Sequence, residues 1–272
     1  MSQAVRKLDR LVESEFHSSD ISIDDVSLRY GAGRNTVLAL DGVSFRVERN
    51  EFCVIVGPSG CGKSSLLYLV AGLEGRSGGQ IAVGRHPVLG PGADRGMVFQ
   101  SYTLFPWLTV ADNVAYGPKR KGLLAAERSD IVQHYLDAVG LTKFADHYPS
   151  QLSGGMKQRV AIARALANNP EVLLMDEPFG ALDSQTRTAM HKLLLRVWDE
   201  THKTVLFVTH DIDEAILLAD RVLVMSGRPG TIKRELKVPF ARPRSLDLVM
   251  EADFIAMKRE ILALLKNDND DQ

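Results

Sequence analysis

The chain has 272 residues, of which 45% are hydrophobic, 25% charged and 7% aromatic. That is an ordinary globular composition, long enough to bury a sizeable core as one large domain or two lobes. With 33 basic and 34 acidic side chains the formal net charge is −1, so nothing draws the whole chain to nucleic acid or an anionic membrane, and no nucleic-acid partner is expected.

Residues 1–19 are polar and charged and read as a short helix or a loose tail, without the apolar stretch of a signal peptide. From Ile21 to Val47 apolar and polar residues alternate, in Ile21-Ser-Ile23, Val26-Ser-Leu28-Arg-Tyr30 and Val43-Ser-Phe45-Arg-Val47. That alternation predicts half-buried antiparallel strands. Phe52–Val56 is continuously apolar and predicts a strand buried on both faces. A glycine turn, Gly57–Ser64, follows it and leads into a helix over Ser65–Ala71. The two cysteines, Cys53 and Cys61, fall in this strand and this turn, where no disulfide is expected. Gly96–Gln100 reads as a short strand with a polar end. Between about 101 and 170 helical patterns take over, notably Glu127–Val139 and Met156–Ala167, and predict a helical lobe inserted into the core.

Buried strands return at Val172–Met175, ending in Asp176-Glu177, at Val205–Val208, ending in Thr209-His210-Asp211, and at Arg221–Met225. After a turn at Arg228-Pro-Gly230, an amphipathic helix is expected near Ser245–Leu265 with Phe254, Met257, Ile261 and Leu265 on one face. The Asn-Asp-rich end should be disordered. No run has the length of a membrane span, so a cytosolic chain that docks on a membrane protein remains compatible. Apolar strands alternating with helices predict an α/β fold with a mainly parallel sheet, which presents ligands at its polar strand ends.

Gly57-Pro-Ser-Gly-Cys-Gly-Lys63-Ser64 matches G-x-x-x-x-G-K-S without a gap, between a strand and a helix. Glycines let backbone amides curl around a polyphosphate, the lysine reaches its β- and γ-phosphates, and the serine hydroxyl binds Mg²⁺. Gly57, Pro58, Ser59, Gly60, Cys61, Gly62, Lys63, Ser64 and Ser65 are accordingly the expected nucleotide cradle. Asp176, ending a buried strand, suits the Mg²⁺ shell. Glu177 beside it points to the opposite side, toward an attacking water, as general base. His210 ends the next apolar strand along the chain and suits a γ-phosphate sensor. Gln100 could reach the metal or the water. A second glycine turn, Ser153-Gly154-Gly155, opens another helix, with Ser153 as its N-cap and the helix dipole aimed at an anion.

This set resembles the ATP-binding subunits of ABC transporters over nearly the whole chain. Gly57–Ser64 is similar to the family's Walker A, Gln100 to its Q-loop and Leu152–Met156 to its signature. Val172–Glu177 is similar to Walker B with the catalytic base, Gly180–Asp183 to the D-loop, and His210 to the switch histidine. Tyr30 stands where the family places an aromatic ring on adenine. The resemblance implies a P-loop NTPase core with an antiparallel β-subdomain and an inserted α-helical subdomain. It also implies ATP and Mg²⁺, and Asp183 at the nucleotide. The implied organisation is a tail over 1–19, an ATP-binding domain over 20–240 with its helical part at about 101–170, and a C-terminal helix with an acidic tail over 241–272.

It implies, further, a head-to-tail homodimer or a pair with a similar subunit, in which Ser153, Gly154 and Gly155 contact the γ-phosphate held by the partner. Met156 departs from the family, which usually has Gln at that place. Tyr102, Leu104, Phe105, Pro106 and Trp107 lie where the family receives a permease's coupling helix, and Phe105 and Trp107 are the expected groove residues. Leu104-Phe-Pro-Trp107, with Gly90–Gly96 before it and Arg228-Pro-Gly230 and Arg242-Pro-Arg244 after it, resembles the nitrate, sulfonate, taurine and bicarbonate importers. A periplasmic solute-binding protein would then be an indirect partner, and the subunit would sit peripherally at the cytoplasmic face of the inner membrane. From the length past His210, the regulatory domain of maltose-type importers is not expected. An exporter subunit and a soluble ABC-type ATPase are the alternatives. A single Walker A and the absence of sustained heptads argue against translation and repair ATPases.

Overall fold

The computed structural model describes residues 21–31, 33 and 36–266. The expected N-terminal tail and the Asn-Asp-rich end lie outside the described residues. Strands β1 (Ile21–Tyr30), β2 (Val37–Val47), β4 (Gly78–Val83) and β5 (His86–Pro87) form an antiparallel sheet in the order β2-β1-β4-β5. A second sheet has the order β10-β9-β3-β8-β7-β6. It contains β3 (Phe52–Val56), β6 (Arg95–Val98), β7 (Val172–Asp176), β8 (Thr204–Thr209), β9 (Arg221–Met225) and β10 (Ile232–Lys237). Its strands are parallel except β10, which pairs antiparallel with β9.

The helices are α1 (Lys63–Ala71), α2 (Val110–Arg120), α3 (Ala125–Ala138), α4 (Gly154–Ala167), α5 (Ser184–Thr201), α6 (Ile212–Leu218) and α7 (Ala252–Lys266). Side-chain alternation splits the core in two. Phe52, Val54 and Val56 of β3 pack with the helical lobe and α5–α7, whereas Cys53 and Ile55 pack with α1 and the antiparallel sheet. This sandwich keeps β3, β7 and β8 buried throughout, which is why their sequences are unbroken apolar runs. In register, Val56 lies opposite Thr209, and Asp176 opposite Val208. The residues following those strands therefore emerge along one edge of the sheet.

Several boundaries differ from expectation. β2 begins at Val37 rather than Val43. β6 ends at Val98, so Gln100 lies in the loop beyond the strand. The final helix divides into a 3₁₀ turn at Leu246–Met250 and α7. Phe254, Met257 and Ile261 are buried and Leu265 packs beside them, so α7 shares the core of the sheet. Helix α2 escaped notice because Gly117 and Pro118 interrupt its pattern. Strand β10 escaped because most of its polar residues face solvent at the sheet edge.

The Arg242-Pro-Arg244 segment is a structural clamp. Arg244 donates to the carbonyls of Ile216, Leu217 and Ala219 at the end of α6, and to that of Phe240. It satisfies acceptors that a helix C-terminus leaves open, and burial pushes its guanidinium down to about 10. Arg242 lies 3.9 Å over the Trp198 ring and donates to Asp220 at 2.8 Å.

Candidate active site

The chain leaves β3 through Gly57 and enters α1 at Lys63. Gly62 caps the helix at φ 104, with no side-chain cap, and a Cβ there would meet Leu40 Cδ2 at 2.7 Å. Only glycine meets both conditions. Lys63 is 5% exposed. Its Nζ donates to the carbonyls of Gly57 at 2.9 Å and Pro58 at 3.1 Å, and lies 3.9 Å from Glu177 Oε1. The ammonium is thereby held against the loop.

Asp176 ends β7 and is 1% exposed. Ser64 Oγ donates to its Oδ1 at 2.7 Å and the Tyr68 hydroxyl to its Oδ2 at 2.8 Å. Burial, and then Asp176 itself, push the Tyr68 hydroxyl up to about 12, so it is a donor at neutral pH. Sequence reading missed Tyr68. Its signal was the spacing of four from Ser64, which puts both side chains on one face of α1.

Glu177 has φ 39, a rare conformation for a non-glycine residue, and is held by hydrogen bonds from its N–H to Val208 O and from Gly180 N–H to its carbonyl. Its side chain departs from that of Asp176: Oε2 lies 2.8 Å from His210 Nδ1, while Oε1 faces Lys63. His210 is largely exposed, just past β8.

A cleft of about 470 Å³ lies over the glycine turn. Its floor is made by Ser59, Gly60 and Gly62–Ser65, and Gln100 and Glu177 stand on one wall. Tyr30, Val37 and Ala39 line another wall. The Tyr30 hydroxyl donates to Glu74 Oε2 at 2.8 Å and lies 3.0 Å from Ser65 Oγ, whose own hydroxyl can donate back to it. Gly57 and Cys61 are buried beneath the loop, with Pro58 half-buried. Arg228 reaches in from the β9–β10 turn and donates to Gly60 O at 3.1 Å. Its place here was hidden in the sequence, because hydrogen bonds between Gly230 and both Ala39 and Asp41 bring that turn against β2.

Ser153, Gly154 and Gly155 do not line this cleft. Ser153 caps α4 by accepting from Met156 N at 3.3 Å. A Cβ on Gly154 would stand 2.8 Å from the Tyr102 hydroxyl oxygen, and one on Gly155 would stand 2.4 Å from Thr186 Cγ2. Asp183 caps α5 and accepts from Thr186 N at 3.0 Å, and this hydrogen bond holds its carboxyl below the usual range. The second glycine turn and the segment before α5 thus meet at Thr186. Met156 packs partly buried against the helical core, which accounts for an apolar residue there.

Phe105 packs on Tyr116 with ring centres 4.6 Å apart and on Trp107 at 5.6 Å, while Trp107 remains 70% exposed. Buried Asn113 anchors this loop, accepting from Phe105 N and donating to the carbonyls of Phe105, Leu108 and Thr109.

The profile of the ABC transporter family matches residues 40–180. The chain belongs to this family. The nitrate import ATP-binding protein NrtD of Synechocystis sp. is 48% identical over 252 residues, covering 90% of this chain and 95% of that protein. The taurine import ATP-binding protein TauB of Ruegeria pomeroyi is 47% identical over 242 residues, covering 89% and 88%. Among solved structures, the dimeric post-hydrolysis state of the ATP-binding cassette MJ0796, bound to ADP and Pi, matches with a TM-score of 0.71 and 35% identity. It covers 81% of this chain and 100% of that one. The chain is an ABC ATPase: it binds ATP and hydrolyses it. Among the described residues no helix is long and apolar enough to cross a membrane.

Proposed function

We propose that this ABC subunit uses ATP hydrolysis to power import of a small solute, an anion or zwitterion such as nitrate or taurine, through separate membrane permease subunits. The observation that carries the mechanism is the separation of the two glycine turns. Ser59, Gly60 and Gly62–Ser65 of the first turn line the cleft, while Ser153–Gly155 opens α4 outside it. Two copies arranged head to tail would let the Ser153 turn of one face the phosphates held by the other. Such a pair, peripheral at the cytoplasmic face of the membrane, would receive its permease at the exposed Phe105–Trp107 loop. A periplasmic solute-binding protein would deliver the solute to that permease.

Within one site Lys63 holds the terminal phosphates, Tyr30 supports the adenine and Glu177 accepts the proton of the attacking water. His210, hydrogen-bonded to Glu177 when Nδ1 carries the proton, orients that carboxylate and senses the γ-phosphate. Hydroxyl and carboxylate oxygens of Ser64 and Asp176, with the Gln100 amide at the rim, suit the hard oxygen preference of Mg²⁺. When bound, the metal would neutralise developing phosphate charge. Asp183 would contribute to the nucleotide from across the pair.

Uptake of labelled nitrate or taurine into vesicles carrying the chain with its permease and solute-binding protein tests this reading. ATP-dependent uptake that disappears with Glu177→Gln is the expected result. ATP hydrolysis without inward movement of any small anion or zwitterion, or movement outward, would overturn it.

A further inference from the structure

Asp176 is gripped by two side chains of one helix. Ser64 Oγ donates to Oδ1 at 2.7 Å and the Tyr68 hydroxyl, one turn later on α1, donates to Oδ2 at 2.8 Å. Residues four apart share a helix face, so α1 alone can hold both oxygens of the carboxylate. The two grips differ in what they can do. Ser64 lines the nucleotide cleft and is itself a candidate metal ligand, so its hydroxyl has a second destination. Tyr68 is not among the residues lining the cleft, and its hydroxyl is committed to the carboxylate. Its ring also lies 6.3 Å from that of Phe99, the residue before Gln100. Tyr68 therefore touches one proposed metal holder directly and the chain neighbour of another.

We propose that Tyr68 is a positioning residue for Mg²⁺: it fixes the rotation of the Asp176 carboxylate and keeps Oδ1 aimed at the metal when Ser64 lets go. A carboxylate held through one oxygen presents the other in a defined direction, whereas an unheld one turns about its Cβ–Cγ bond. Partners of this outer kind orient metal ligands, and their removal commonly costs about 10- to 100-fold in metal affinity. The inference rests on the reading of Asp176 as part of the Mg²⁺ site, so Asp176→Asn is measured beside it.

The experiment uses the full chain with ATP and Mn²⁺ as a paramagnetic substitute for Mg²⁺. Free Mn²⁺ is followed by electron paramagnetic resonance, and ATP binding in EDTA by a fluorescent analogue. Tyr68→Phe is expected to weaken Mn²⁺ binding about tenfold while leaving metal-free nucleotide binding unchanged. Asp176→Asn should weaken Mn²⁺ binding at least as much, and the double variant should lose no more than Asp176→Asn alone. Unchanged Mn²⁺ affinity in Tyr68→Phe, with a loss in Asp176→Asn, would overturn the role of Tyr68 and leave the metal reading standing. Unchanged affinity in Asp176→Asn would overturn both. An equal fall in metal-free ATP binding, or additive losses in the double variant, would make Tyr68 a support of the loop and end the proposal.

Discussion

The two glycine turns begin alike and are built differently. The first enters α1 through Gly62 with no side-chain cap, so the amides at that helix end are left for an anion to satisfy. The second enters α4 through Ser153, whose hydroxyl already accepts from Met156 N. Glycine also serves distinct ends in the two. At Gly62 it permits φ 104 beside Leu40; at Gly155 the backbone is ordinary helix and the missing Cβ lets Thr186 approach. The contrast teaches that one turn leaves its amides open, and the other is fitted to its neighbours, with only its serine and outer amides left to offer. Such a surface suits a site completed by a second subunit.

The sharpest way to break this division is to disable the cleft side without touching the other. Glu177→Gln should lower ATP turnover by about 10²- to 10⁴-fold, while nucleotide binding persists. An ATP-trapped dimer should then be visible by light scattering. Near-normal hydrolysis would remove Glu177 as the base.

On the other side, Ser153→Ala should lower turnover by about 10²-fold and leave ATP affinity of the separate subunit intact. Its lost cap should cost about 1 kcal/mol in denaturant unfolding. A matching fall in monomer affinity would place Ser153 in its own chain's site.

Gly155→Ala sharpens the structural half of the comparison. The new methyl would meet Thr186 Cγ2 at 2.4 Å, and such overpacking should cost about 1–3 kcal/mol. Adding Thr186→Ser, which deletes that Cγ2, should recover much of the loss. Failure of this rescue would mean that Gly155 is required for a reason other than packing.

The smallest effect is expected at Met156. Met156→Gln, the family's residue, exchanges a partly buried apolar contact for an amide and should cost about 1 kcal/mol or less. A steady-state ATPase assay should show little change. A large gain would mean that the methionine had been limiting hydrolysis.

Legibility differed along the chain for physical reasons. β3, β7 and β8 were plain because a strand covered on both faces must be apolar throughout. Strand β10 and helix α2 were hidden, since an exposed edge strand carries no apolar signal and Gly117-Pro118 breaks the helical period. Within the site, Lys63, Ser64, Asp176, Glu177 and His210 stand at strand or helix ends, where local pattern marks a polar residue. Arg228 and Tyr68 carry no such mark. The first reaches Gly60 through a turn docked on β2, and the second meets Asp176 across 108 positions of chain.

The arginines of Arg242-Pro-Arg244 make the same point from the other direction. Read as a motif, they point to one branch of importers; in the fold they cap α6, pair with Asp220 and lie over Trp198.

By itself, then, the sequence determined the kind of chemistry. A G-x-x-x-x-G-K-S turn between strand and helix, and carboxylates at the end of an apolar run, depend on local spacing alone. Tertiary structure decided which of these groups meet. Strand register carries Glu177 to His210 and Asp176 to Ser64 and Tyr68, and helix packing sets Gly155 against Thr186 away from the cleft. Those distances depend on sheet order and close packing between segments far apart in the chain, and no local pattern encodes them.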